Sequence, residues 1–403
     1  MQTKSSTKQS TKEQVESLLL LDTTKRKKHL FVDISDIVNH NINTGIQRVV
    51  KQQLYHLLNS NQEDFIVKPV YLRTIDNYSY FLYANNYLAK FTSTTTKLQD
   101  IPIQLQEGDI LYSADLSYQS VQKATNLNIY KQYKSIGVKI LFLIHDILPI
   151  THPHYFAKEV PPSHKQWLHN ILSISDKLIT TTQTGKKELQ NYLTKNHLNI
   201  PPITPIHLGS DLPTDKNQNS LKMKNNTKQI NFLTVGTLEP RKAHAQLLKA
   251  FEILWAQNLE INLTIVGKKG WMMQEFLEAL TSHPQLDKKL FYLNSIDDNH
   301  LNQLYNTSDA LIVPSNAEGF GLPLIEAAKH KLPIITRDIE VFREIATTHA
   351  FYFKDTNKPQ DIANSIKEWL QLYKQNSHPT TIDMPIKTWK QNAKQLLELI
   401  VKN

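Results

Sequence analysis

Glu318 and Glu326 frame a loop, EGFGLPLIE, whose residue types suit a ligand that is both anionic and hydroxylated. Gly319 and Gly321 let the backbone approach such a ligand closely. Pro323 fits the first turn of a helix, where its missing N–H costs nothing. The N–H groups at that helix start favour an anion. The loop therefore offers donors to phosphate or sugar oxygens, with a carboxylate on either side to accept from hydroxyls. Either glutamate alone would read as a solvated side chain; the glycines between them point to a site. Arg241 and Lys242, in TLEPRKAH, lie just before another helix start. Two cations beside helix N–H groups suit a diphosphate better than a neutral ligand; a solvated basic turn is the alternative. Gly45, in NTGIQRVV, and His145, in LIHD, each follow an apolar run. Ligands of open α/β sheets sit at the carboxyl ends of strands. His145 is accordingly read as a substrate contact, with a satisfied core histidine as the alternative.

These residues need strands ending beneath them and helices leading away. Apolar runs predict strands at 30–34, 65–72, 78–83, 109–112, 138–144, 178–182 and 203–208. A turn at residues 76–77 is expected to pair the second and third of these. Helical spacing covers 46–58, 120–134, 163–173 and 186–193, with Pro161 and Pro162 as a break. Residues 84–107 give no clear pattern. The second half alternates more cleanly. Strands are expected at 232–236, 261–267, 290–293, 310–313 and 333–336, and helices at 245–257, 272–280 and 298–305. A final helix is carried by Trp389, Ala393, Leu396, Leu397 and Ile400. Such alternation implies parallel sheets wound on both faces. The chain divides into a basic tail (1–28, with a short helix at 14–21), a first α/β domain (29–209), a polar linker (210–229), a second α/β domain (230–380) and a terminal segment (381–403).

Length allows two domains of ordinary size. The absence of cysteine excludes disulfides, thiol catalysis and cysteine metal sites, and fits a reducing cytoplasm. No apolar run reaches the roughly 20 residues of a membrane span, and the chain is read as cytoplasmic. The net charge of +9 suits a phosphorylated substrate, an anionic membrane face or nucleic acid. The basic residues are scattered, without interleaved aromatics, so nucleic acid is not expected as a partner.

The segments GTLEPRKAHAQLLKAF, EGFGLPLIEA, RDIEVFREI and TGIQRVV together resemble a retaining GT-B glycosyltransferase of family 4, of the kind that includes bacterial polysaccharide and O-antigen mannosyltransferases. The resemblance runs from about His29 to the C-terminus, and Glu318 and Glu326 fit the family's E-x7-E signature. It implies two Rossmann-like, doubly wound parallel-sheet domains facing across a cleft, the first on the acceptor side. It implies that Arg241 and Lys242 hold the donor diphosphate, Glu326 accepts from the ribose and Glu318 faces the donor sugar. Backbone N–H groups of Phe320, Gly321 and Leu322 would contact sugar and phosphate. Gly45 would approach the diphosphate from the first domain, His145 would lie near the transferred sugar, and the final helix would cross back onto the first domain. Two positions depart from the family's pattern: Ala243, where Gly or Asn is usual, and Thr44-Gly45, where two glycines are usual.

The implied function is transfer of a hexose from a nucleotide-sugar, GDP-mannose first, with dTDP-rhamnose or a UDP-sugar next. The acceptor is a growing or lipid-linked glycan of a bacterial surface polysaccharide. No cofactor is expected and no metal site, since no Asp-x-Asp pattern is present. Peripheral contact with the inner, anionic membrane face is compatible with the basic tail. The alternatives are another GT-B enzyme (a phosphorylase or nucleotide-sugar epimerase), or a non-catalytic partner or nucleic-acid-binding protein.

Overall fold

The computed structural model describes residues 26–40, 44–60, 64–75, 78–93, 99–210 and 229–401. The expected helix at 14–21, the turn at 76–77 and most of the linker lie outside them. Two sheets organise the chain. The first holds β1 (Lys28–Asp33), β2 (Phe65–Ile75), β3 (Tyr78–Tyr83), β4 (Ile110–Ser113), β5 (Lys139–Ile144), β6 (Lys177–Thr180) and β7 (Ile203–Pro205), in the order β3-β2-β1-β4-β5-β6-β7. The second holds β8 (Ile230–Val235), β9 (Ile261–Val266), β10 (Leu290–Leu293), β11 (Ala310–Val313), β12 (Ile334–Arg337) and β13 (Ala350–Phe353), in the order β10-β9-β8-β11-β12-β13. Every strand pair is parallel except β2–β3, an antiparallel edge. The central strands are buried along nearly their whole length, as strands covered by helices on both faces must be.

Some elements differ from the sequence reading, each for a local reason. Pro161 and Pro162 do not break the chain: they occupy the first turn of the Val160–Leu172 helix, which asks for no N–H donors. The helix expected over 120–134 is two, Tyr118–Asn126 and Ile129–Ser135, separated where Asn128 turns left-handed at φ 55°. The unread stretch 84–107 contains the Asn85–Phe91 helix. Arg26 belongs to the folded unit and not to a tail, with Nη2 2.7 Å from the buried Asp109 carboxylate.

Apolar burial falls into three layers. One fills the outer side of the first sheet, under the Tyr118–Asn126, Ile129–Ser135 and Val160–Leu172 helices. Another fills the outer side of the second sheet, under the His244–Ala256 and Pro359–Lys374 helices. The third is shared: it runs from Val32, Leu54 and Leu143 of the first unit to Leu233, Val313 and Leu324 of the second. The Trp389–Val401 helix closes it, packing on the Gly45–Leu58 helix. Gln53 donates to Asn392 (3.1 Å), Asn392 to the His207 carbonyl (2.8 Å), and the Tyr112 hydroxyl to Gln53 (2.9 Å). A side chain at Gly209 would lie 2.4 Å from the Trp389 nitrogen, so this crossing needs glycine there. Among the described residues, no helix is long and apolar enough to cross a membrane.

Candidate active site

The turn after β8 carries the cations. Pro240–Lys242 forms a single 3-10 turn, and Ala243 then enters the left-handed region at φ 54° to cap the His244–Ala256 helix. That conformation costs an L-residue with a Cβ roughly 1–2 kcal/mol, which explains why glycine or asparagine would suit the position better. Gly236 and Gly267 hold this turn against the one after β9 so closely that a Cβ at Gly267 would lie 1.9 Å from the Gly236 carbonyl.

The loop after β11 supplies the counter-charge. Glu318 accepts from Arg241 Nη1 at 2.7 Å, from the Ser315 hydroxyl at 2.8 Å and from Lys242 Nζ. Arg241 also donates to the Ala317 carbonyl (3.1 Å), and its Nη2 lies 2.6 Å from the buried Glu239 carboxylate. Two cations and two carboxylates thus form one formally neutral, buried quartet. Burial would raise the Glu318 carboxyl, but Lys242 and Arg241 outweigh it and hold the group at about 2. Glu239 goes the other way, raised chiefly by burial despite Arg241 and Lys242. Next to the quartet, burial and then Lys242 push the His244 imidazole down to about 3, so it stays neutral.

Glu326, eight residues on, sits differently. The left-handed Gly321 (φ 94°) caps the Leu322–Lys329 helix, and a side chain there would meet Phe342 at 2.9 Å. Glu326 Oε1 accepts from Arg48 Nη1 of the first unit at 2.7 Å, and Oε2 from the Tyr305 hydroxyl at 2.8 Å. Arg48 lies in the first turn of the Gly45–Leu58 helix, capped by the Thr44 hydroxyl. Between the two glutamates the units touch. A Cβ on Gly319 would lie 2.7 Å from the His145 carbonyl and 2.9 Å from Asp146 Cβ, and the Thr181 hydroxyl donates to the Gly319 carbonyl at 3.2 Å. His145 Nε2 pairs with the Ala114 carbonyl at 2.9 Å; burial outweighs that bond and the nearby Asp146 and lowers the imidazole pKa, which favours the neutral ring.

Residues 215–381 match the model of the family "Glycosyl transferases group 1". This chain carries a glycosyl transferases group 1 domain. It is 38% identical over 388 residues to the serotype-specific mannosyltransferase WbdA of Escherichia coli, an alignment that covers 93% of this chain and 45% of that protein. The chain therefore spans about half the length of the curated relatives it matches. The O-antigen chain mannosyltransferase RfbU of Salmonella typhimurium is 27% identical over 210 residues, covering 52% of this chain and 55% of RfbU. Anabaena Alr3699/HepE, solved with UDP and glucose, superposes with a TM-score of 0.65 at 15% identity, covering 94% of this chain and all of that one. The fold is GT-B.

The structure makes the expected neighbourhood of the turns after β8 and β11 a direct pairing. Arg241 and Lys242 are not only a cationic turn but the partners of Glu318. Gly45 does open its helix, and the N–H groups of Phe320, Gly321 and Leu322 do lie at the start of the next, where a helix leaves its first donors without intrahelical acceptors. Several participants carried no sequence signal strong enough to single them out. Glu239 stands two residues before Arg241, Arg48 three after Gly45, and Tyr305 is recognisable only once its helix packs against Glu326. The same is true of Glu344, in the Glu340–Ala346 helix. It accepts from the Gln183 and Thr184 N–H groups (2.7 Å each) and the Thr184 hydroxyl (2.7 Å), and lies 2.7 Å from His207 Nε2. Burial would raise its carboxyl; His207 and Thr184 lead the bonds that instead hold it at about 2.

Proposed function

We propose that this chain is a retaining glycosyltransferase that moves mannose from GDP-mannose to a growing, lipid-linked glycan of a bacterial surface polysaccharide. The observation that carries the reading is the buried Glu239–Arg241–Lys242–Glu318 quartet, set beside a helix N-terminus at the line where the two units meet. The likeness to WbdA and RfbU supports mannose as the sugar and an O-antigen as the product.

The chemistry is expulsion of a nucleoside diphosphate from the anomeric carbon. Negative charge grows on the leaving oxygen while the sugar gains oxocarbenium character. Arg241, Lys242 and the start of the Leu322–Lys329 helix would meet the leaving group, stabilising charge that develops only in the transition state. They supply that charge without requiring a metal. Lys242 would be shared between Glu318 and the diphosphate, which leaves a Glu318 oxygen to accept from the donor sugar. Glu326 would exchange one present partner for the ribose hydroxyls. The acceptor hydroxyl would attack on the leaving-group side, so configuration is retained. His145, neutral and held on the Ala114 carbonyl, would orient the sugar through its remaining ring nitrogen and not act as a strong base. Peripheral contact with an anionic membrane face would fall to basic residues of segment 1–28 other than Arg26.

Thermal unfolding with UDP-, GDP-, dTDP- and ADP-sugars tests the donor: GDP-mannose should give the largest upward shift. Shifts with none of them would sink the transferase reading. NMR of the product should show the donor's anomeric configuration, and EDTA should leave turnover unchanged.

A further inference from the structure

A row of aromatic rings stands at the rim between the two units, on the side away from Glu326. Its fixed member is Trp271, in the GKKGW turn after β9. That turn is locked to the cationic turn: Leu238 N–H donates to the Lys268 carbonyl and Gly270 N–H to the Leu238 carbonyl, each at 2.8 Å. Gly270 has no room for a side chain, since a Cβ would lie 2.5 Å from the Leu238 carbonyl. Trp271 remains 37% exposed. The first unit reaches it with residues 152–156, which follow the Leu148–Thr151 helix. Trp271 Nε1 donates to the Tyr155 carbonyl at 2.8 Å, and Phe156 stacks on the indole at 5.8 Å and 23°. The Tyr155 hydroxyl lies beside the Asn316 side chain in the loop that carries Glu318, and its ring packs on His154 with centroids 4.0 Å apart.

The layers of the fold say which substrate this rim faces. Glu326, Arg48 and Tyr305 belong to elements of the shared apolar layer, whereas Met273 beside Trp271, and Ile147 before residues 152–156, belong to the two outer layers. A donor with its ribose at Glu326 and its diphosphate at Arg241 and Lys242 has its nucleoside end pointing away from Trp271. What approaches the sugar from the opposite side is the acceptor. The exposed Trp271 ring and the half-buried Tyr155 and Phe156 beside it, with adjacent hydroxyl and imidazole groups, suit a neutral pyranose, whose C–H face packs on a ring while its hydroxyls bond at the edge. The surface continues outward. A cavity of about 340 Å³ begins at Pro153 and ends at Pro162, and a second, of about 410 Å³, continues from Pro162 between Gln119 and Gln166. Both volumes fall in the range of about 300–1,000 Å³ usual for ligand sites.

We propose that Trp271 and residues 154–156 form the acceptor's first sugar subsite, and that a longer glycan follows the surface past Pro162 to the amide-lined cavity. The proposal rests on the transferase reading and names that reaction's acceptor as a neutral oligosaccharide held over several rings. Trp271→Ala should raise the acceptor KM about tenfold while leaving the donor-induced thermal shift intact. Trp271→Phe, which keeps a ring, should recover most of the loss. Gln119→Ala/Gln166→Ala, at two exposed positions, should raise KM several-fold for a long mannose oligosaccharide but not for a mannose disaccharide. Titration of mannose oligosaccharide against intrinsic tryptophan fluorescence reads the rim without turnover, and its response should vanish in Trp271→Ala. An unchanged acceptor KM in Trp271→Ala, or a rise confined to the donor KM, would overturn the proposal. A wild-type protein that shows the fluorescence response but transfers no sugar would overturn the transferase reading and leave saccharide binding at the rim supported.

Discussion

Glu318 and Glu326 come from one strand–loop–helix, yet their surroundings differ in kind. Glu318 has all its partners within its own unit: Arg241, Lys242 and Ser315. Its charge is compensated however the two units are arranged. Glu326 draws one partner, Tyr305, from its own unit and the other, Arg48, from across the cleft. Its environment is complete only when the units meet. The first glutamate therefore belongs to an electrostatic site built within one unit, and the second to the contact between units. The loop between them, at Gly319, is where the units touch.

The largest effect should come from breaking the Glu318 site. Glu318→Ala removes the carboxylate that Arg241 and Lys242 share and leaves them Glu239 and the field of Asp146. We expect a loss of about 3–5 kcal/mol in urea unfolding and a fall in kcat of about 10²–10³. Gly319→Ala comes next. Its Cβ would sit 2.7 Å from the His145 carbonyl, so the units must part. Small-angle scattering should show a larger radius of gyration, and kcat/KM should fall about 10²-fold for a misplacement near 1 Å. Arg48→Ala should cost less, about 1–2 kcal/mol, because the guanidinium is partly exposed. It should leave the Glu318 quartet intact, so the thermal shift induced by a free diphosphate should persist. If Arg48→Ala abolishes that shift, the separation of the two glutamates fails.

Acid should weaken the Glu318 region, where two groups with depressed pKa values lie together. His244 is held at about 3 against 6.5 unfolded, and Glu318 at about 2 against 4.5. Both folded values are depressed, so both contributions are full at neutral pH and are lost as pH falls. The His244 share goes between about 6.5 and 3, the Glu318 share between about 4.5 and 2. Urea midpoints should decline as pH falls through both windows, and His244→Gln should reduce the loss in the upper one, which His29 and His330, each at about 4, also share. The smallest effect is expected at Ala243. Replacing it with glycine relieves a left-handed alanine at some cost in unfolded-chain entropy, for a net gain of about 0.5–1 kcal/mol in urea unfolding.

Much of the candidate site in the second unit was legible in the sequence because its signals are local. Glycines, prolines and charges at fixed spacing mark the turns after β8 and β11, and continuous apolar runs mark the strands beneath them. Ala243 stood out as a departure, and its φ of 54° gives that departure a physical meaning. What was not legible is pairing at long separation. Nothing at Arg48 announces a partner 278 residues away, and nothing at Glu344 announces a helix start 160 residues earlier. The Pro161-Pro162 pair was misread because the same dipeptide stops one helix and starts another. The rim at Trp271 was invisible for a related reason: its rings come from two turns that only the closed fold brings together.

The Glu344 contact has a consequence for affinity at a distance. One carboxylate caps the Gln183–Lys195 helix of the opposite unit and also engages His207. If donor binds only when the units are together, the observed dissociation constant is the intrinsic one divided by the fraction of molecules already joined. Glu344 contributes to that fraction, alongside the Arg48, Thr181 and Trp271 contacts. Weakening this cap would make every donor bind less well by the same factor, and would leave the ranking among donors untouched.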